Sequence, residues 1–179
     1  MSRTAASRRA SSSGTAAGLA DWSVVNLTES RWRRLPGLGI GTRPEHDDRW
    51  EQIGITVRVL GPAETLAMYH AENDQEDFLL LSGTATLIVE GEERPLRRWD
   101  FFHCPPGTAH AIVGGPCVVL AVGARGHEIR TGTGWGGYPV DAAALKHGVG
   151  VEEETDDPDV AYARFGDAET VTYGGWLDR

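Results

Sequence analysis

HAENDQEDFLLLSG (70–83) and DFFHCPPGTAH (100–110) are the two stretches on which the reading of this chain turns. Successive side chains of a strand point to opposite faces. The even positions of 76–82 put Glu76, Phe78, Leu80 and Ser82 on one face. Read upstream, TLAMYHAE (65–72) does the same with Leu66, Met68, His70 and Glu72, leaving Thr65, Ala67, Tyr69 and Ala71 on the other. That even face passes from apolar to ionisable. It reads as an interior with an oily floor of Leu66, Met68, Phe78 and Leu80 and a polar upper end. The odd positions Leu79 and Leu81 make the outer face apolar too, so it needs a cover. The candidates are the arms at 21–50 and 124–179, or a second copy of the chain.

Outward from these stretches, residues 53–122 are short apolar runs broken by turn residues: ITVRVL (55–60), TLAMYH (65–70), FLLLS (78–82), TATLIVE (84–90), DFFHC (100–104), HAIV (110–113) and CVVLAV (117–122). Gly61-Pro62, Ser82-Gly83, Gly91, Pro105-Pro106-Gly107 and Gly114-Gly115-Pro116 separate them. Runs of this length and β-branched content predict an all-β protein whose antiparallel hairpins close into a sandwich or barrel. No 3.6-residue periodicity is sustained across this region.

The polar end of the interior carries the chemistry. His70 and Glu72 point the same way, about 6–7 Å apart along a strand. Glu76 lies across a short turn, and His110 follows the Pro-Pro-Gly turn on a later strand. Buried carboxylates and imidazoles converging on one point are costly unless paired. A divalent cation resolves this, and a mixed His/Glu set suits first-row metals such as Fe, Mn, Zn or Ni.

These residues resemble the two signature motifs of the cupin superfamily. The first is His-x-His, three or four residues, Glu, six residues, Gly; here it runs His70-x-Glu72, three residues, Glu76, six residues, Gly83. The second is Gly, five residues, Pro-x-Gly, two residues, His, three residues, Asn; here it runs Trp99, five residues, Pro105-x-Gly107, two residues, His110, three residues, Gly114. Glu72 stands where most metal-binding members have a second His, Trp99 replaces the opening Gly, and Gly114 replaces the Asn. Eight residues separate Gly61 from His70, where the family usually has five. The resemblance covers about residues 52–123. It implies a small double-stranded β-helix, the cupin or jelly-roll barrel, with His70, Glu76 and His110 as metal ligands.

Two coordination schemes follow. With Glu72 as a fourth ligand, two imidazoles and two carboxylates neutralise a divalent ion. With Glu72 aside, the other three form a two-His-one-carboxylate triad with open positions, as in non-haem iron oxygenases. Glu72 is then the catalytic residue, a general base if burial brings its pKa toward neutrality. His103 and Tyr69 are candidates to support the ligands. The implied function is a metalloenzyme for a small polar molecule, of dioxygenase or isomerase type. The other reading is a non-catalytic small-molecule-binding cupin, a sensor or store. A homodimer is the simplest assembly and resembles what cupins commonly form.

The flanks divide into a tail (1–20), an N-terminal arm packing on the barrel (21–51) and, after the barrel (52–123), a C-terminal extension (124–179). The tail has three arginines, no acid and little to bury, and reads as disordered. Its Arg8-Arg9 is followed by serines rather than an apolar export segment. In the extension, DAAALK (141–146) predicts a short helix capped by Asp141 and ended by Gly148. TGTGWGGYP (131–139) is either a lid or a covering segment. The acidic EEETDDPD (152–159) reads as a solvated face in which Pro158 stops any helix. His46, His127 and His147 lack spaced partners and are assigned to the surface.

The 179 residues carry a net charge of −9, with Lys146 the single lysine. That balance argues against a nucleic-acid partner or docking on an anionic membrane, and no apolar run is long enough to span a bilayer. Cys104 and Cys117 read as reduced, small core residues of a cytoplasmic protein.

Overall fold

The computed structural model describes residues 22–45 and 49–178, so the expected tail and His46 lie outside the described residues. In chain order the strands are β1 (Trp32–Leu35), β2 (Gly39–Thr42), β3 (Ile53–Leu60), β4 (Ala71–Glu72), β5 (Glu76–Val89), β6 (Glu92–Arg97), β7 (Phe101–Cys104), β8 (His110–Ala124), β9 (Gly136–Gly137) and β10 (Glu169–Val171). Three short helices follow the barrel: α1 (His127–Thr131), α2 (Ala142–Lys146) and α3 (Pro158–Ala161). The fold is an all-β barrel followed by these short helices. Its main sheet runs β10-β1-β2-β3-β8-β5-β6, with β7 also paired to β5, and every pairing is antiparallel.

β5 and β8 are longer than the sequence pattern indicates. Ser82-Gly83 and Gly114-Gly115-Pro116 were expected to be turns, yet both lie within strands that pair continuously from Glu76↔Gly123 to Val89↔His110. The glycines mark irregularities, at Leu80/Ser82 and Gly83/Ala85, rather than chain reversals. An irregularity of this kind bends a strand and changes which residues face inward. Phe78 and Leu80 therefore share the interior with Ala85 and Leu87, of opposite parity, while Ile88 packs outside. Gly83 has φ +75°, and a Cβ there would stand 1.8 Å from the Pro116 carbonyl oxygen. Gly114 is also close-packed, since its Cβ would meet Leu60 at 2.6 Å and the Gly61 carbonyl oxygen at 2.7 Å.

The interior holds Leu60, Phe78, Leu80, Leu87, Ile112 and Val119, all buried. Burial of each such side chain contributes about 1.5–3 kcal/mol. The outer apolar face is covered by the chain's own ends. Leu81 and Leu120 pack with fully buried Trp32 and with Ile40, Tyr173 and Trp176. Trp32 is fixed by an Nε1–H···O bond of 2.8 Å to Leu27. On another face, Ile88, Ala111 and Val113 are covered by Ala144 and Val149 around α2. Asp141 caps α2 by accepting from the Ala144 N–H at 2.8 Å, as its sequence predicts.

Two further expectations need correcting, and one departure from the motif is accommodated. Residues 65–70 form no strand; Thr65 and His70 make isolated bridges to β8. Without regular alternation Leu66 stays with the floor, while Met68 turns to Tyr138, Ala161 and Tyr162. Pro158 does not stop a helix but starts α3, behind an Asp157 cap. This suits proline, whose missing N–H is not needed at a first helical position. Finally, Trp99 holds φ +74° at the position where the motif has glycine. Its indole is accommodated by pointing out, 61% exposed, with the Arg98 guanidinium 4.9 Å from the ring centroid.

Candidate metal centre

Two histidines forty residues apart meet through their backbones. The His70 N–H donates to the His110 carbonyl at 3.1 Å, and the His110 N–H donates back at 2.8 Å. Residues paired this way across antiparallel segments project to the same face, and the ring centroids lie 4.8 Å apart. Glu76, at the head of β5, completes the group. Its Oε2 is 3.4 Å from His70 Nε2 and 3.5 Å from His110 Nε2. The three ligand atoms lie within 4.8 Å of one another. Gly123, opposite Glu76, leaves the carboxylate room.

Both imidazoles are held by their other nitrogen. Nδ1 of His70 is 2.7 Å from the Met68 carbonyl and Nδ1 of His110 is 3.1 Å from that of Thr108. A carbonyl only accepts, so each Nδ1 carries a proton, and in the neutral ring each Nε2 presents a lone pair to the centre. This is the arrangement metal-binding histidines use. His110 is further wedged among Phe78 and Phe102, with centroids at 5.1 and 5.7 Å, and lies 3.3 Å from Cys104 Sγ. Among the described residues, Glu76 Oε2 and His110 Nε2 are buried with no hydrogen-bond partner. Leaving such atoms unpaired is costly, and a cation in reach of both fits the donor set.

Glu72 stands beside this group, with Oε1 3.7 Å from His70 Nε2, and is the most exposed of the four side chains at 32%. Burial, with the Glu76 charge adding to it, pushes its carboxyl up to about 7. Burial holds His110 down to about 4, reinforced by His70. For His70 burial works against the charged form, but the Glu76 and Glu72 carboxylates outweigh it and raise the pKa.

The supporting groups differ from those expected. His103 points outward, 56% exposed, and pairs with Asp77 at 2.7 Å. Tyr69 is buried in the cluster around α2. The backbone carbonyls of Met68 and Thr108 do the orienting, and no sequence spacing signals a carbonyl. The 131–139 loop is tied down as a wall: β9 pairs with β4, and the Asn73 N–H donates to the Trp135 carbonyl at 2.7 Å. Gly136 is required there, because a Cβ would sit 2.0 Å from the Ala71 carbonyl oxygen. Trp135 and Tyr138 thereby come within 6.3 and 6.1 Å of the His70 ring. His127 and His147 do have partners, Asp74 and Glu93 respectively.

A cleft of about 1130 Å³ opens over Glu72 and Glu76, walled by Thr56, Ala121, Gly123 and Trp135. Open access to a tight two-imidazole, one-carboxylate group permits a small molecule to reach whatever the group holds.

Residues 56–123 match the family model described as a cupin domain. This segment is a cupin domain. Among solved structures, it resembles a sugar phosphate isomerase of the cupin superfamily from Silicibacter pomeroyi, at 21% identity and TM-score 0.51, over 58% of this chain and 76% of that one. It also resembles the polyketide cyclase RemF from Streptomyces resistomycificus, at 17% identity and TM-score 0.50, over 57% and 79%. These likenesses establish the fold. No curated protein matches the sequence. Among the described residues, no helix is long and apolar enough to cross a membrane.

Proposed function

We propose that this protein is a metal-dependent cupin enzyme acting on a small polar organic molecule. The observation that carries the reading is the buried triad: two Nε2 atoms with fixed tautomers and a Glu76 oxygen, two of the three atoms without any other partner. His70, Glu76 and His110 would hold the ion. When bound, a divalent transition metal supplies a Lewis acid that polarises a substrate oxygen or acidifies water, serving dioxygenase-type or isomerase-type chemistry.

The chain's own residues supply the rest. Glu72 sits beside the triad at the cleft. A carboxyl held near neutrality both takes and returns a proton at physiological pH, so Glu72 Oε1 is assigned as the proton carrier. Phe78 and Phe102 pack against His110, and Trp135 and Tyr138 stand beside the His70 ring. A homodimer would use the apolar surface left at Trp99 and Phe101, 61% and 62% exposed.

Elemental analysis of protein purified without added metal tests the reading. One transition-metal ion per chain is expected, lost in His110→Ala with the circular dichroism of the barrel retained. Metal-free parent protein that also fails to take up Fe, Mn, Zn or Ni would leave a non-catalytic pocket as the better description.

A further inference from the structure

Four arginines, Arg43, Arg49, Arg125 and Arg130, converge on the cleft above the triad in a chain whose net charge is −9. Two of them are committed to the fold. Arg125 donates to both Glu45 carboxylate oxygens, at 2.6 and 2.7 Å, and to the Trp50 carbonyl. Arg130 is bound to Asp74 and to the Arg125 carbonyl. Arg43 and Arg49 are different. Both are exposed and line the cleft, and among the described residues neither has a hydrogen bond or an ion pair within 4 Å.

A third guanidinium lies next inward. β2 and β3 pair Gly41 with Arg58, and Arg58 rests on Gly41, 3.1 Å from where a Cβ would be. Thr56, two residues before Arg58 on the same face of β3, lines the cleft. Arg58 donates from Nη1 to the Leu38 carbonyl at 3.3 Å, while its Nε is buried with no partner among the described residues. Burial first, and then the like charge of Arg43, push its pKa down. Glu64 acts on Arg58 and Glu45 on Arg43, but neither carboxylate is within 4 Å of either guanidinium among the described residues, and an oxyanion would offset the remaining repulsion through charge-assisted, two-pronged hydrogen bonds.

We propose that the cleft is built for a substrate carrying an oxyanion, a phosphate or a carboxylate, received by Arg43 and Arg49 with the buried charge of Arg58 adding to the field, while another oxygen of the same molecule faces His70, Glu76 and His110. The inference deepens the metalloenzyme reading and rests on it for the second end of the molecule.

The test is calorimetric titration of metal-loaded and metal-free protein with two probes, inorganic phosphate and succinate; the tighter probe identifies the oxyanion. Arg43→Gln should weaken binding at least tenfold with metal content unchanged. Arg33→Gln, on the exposed face of β1 away from the cleft, should leave binding as it is. Because Arg58 is partly core, Arg49→Gln is the second variant, with a several-fold loss expected. Absence of binding by both probes overturns the inference, as does parent-like binding in an Arg43→Gln/Arg49→Gln double variant. So does anion binding that requires metal yet ignores both arginines. Arginine-dependent binding in protein that takes up no metal would sustain the anion site and sink the metal reading instead.

Discussion

Replacing Glu76 by Gln should affect the metal-free and metal-loaded proteins in opposite ways. In the metal-free protein Glu76 Oε2 and His110 Nε2 are buried without partners, and each such atom costs about 1–3 kcal/mol. Gln removes a buried carboxylate, keeps its shape and offers an N–H to the His110 Nε2 lone pair, so at a pH where His70 is neutral metal-free stability should hold or rise. The metal-loaded parent gains RT ln(1 + [L]/Kd), about 2.7 kcal/mol at a hundredfold excess over Kd. For a chain of 179 residues, each kcal/mol moves Tm by about 2–4 °C. Metal should therefore raise the parent Tm by roughly 5–11 °C. In Glu76→Gln that rise should shrink to about a third or less, since the anionic member of the set is gone and affinity falls with it. The assay is differential scanning calorimetry of chelator-stripped protein with Fe(II), Mn, Zn or Ni added. A full metal-induced rise in the variant, or a variant markedly less stable than the parent without metal, would refute the reasoning.

Three further outcomes follow from other parts of the molecule. Burial raises the Glu72 carboxyl to about 7 in the folded, metal-free protein, against 4.5 as its ordinary value; a raised acid contributes stability that is full below the lower value and lost as pH rises to the upper one. The Tm of Glu72→Gln minus that of the parent should therefore grow between pH 4.5 and about 7 and level off above, as melts across that range would show. Arg125→Ala takes the guanidinium partner from the Glu45 carboxylate and leaves it the Trp50 N–H; urea denaturation should report a loss of about 1–3 kcal/mol, largely recovered when Glu45 is made Leu as well. Gly83→Ala combines a left-handed backbone with a 1.8 Å collision with the Pro116 carbonyl; a loss of at least about 2–3 kcal/mol is expected in the same assay.

Local pattern and spacing carried most of what the sequence determines. Alternating apolar runs specify an all-β domain because burial of one strand face imposes period two. The two motifs place His70, Glu76 and His110 because each lies within a few residues of a turn that aims it, and Asp141 announces α2 because capping is a contact within one turn. Tertiary structure decided what depends on distant segments. Ser82-Gly83 and Gly114-Gly115-Pro116 carry turn composition, but whether a glycine reverses a chain or bends a paired strand depends on the partner opposite, here β8 for β5. The reach from His70 to His110 is set by a single backbone pair, and the tautomers by carbonyls that no side-chain pattern encodes. Likewise Arg43, Arg49 and Trp135 come from outside the motifs and reach the cleft only because the two ends of the chain fold over it. Short-range contacts are written in neighbouring residues; a site gathered from remote ones exists only once the chain has closed.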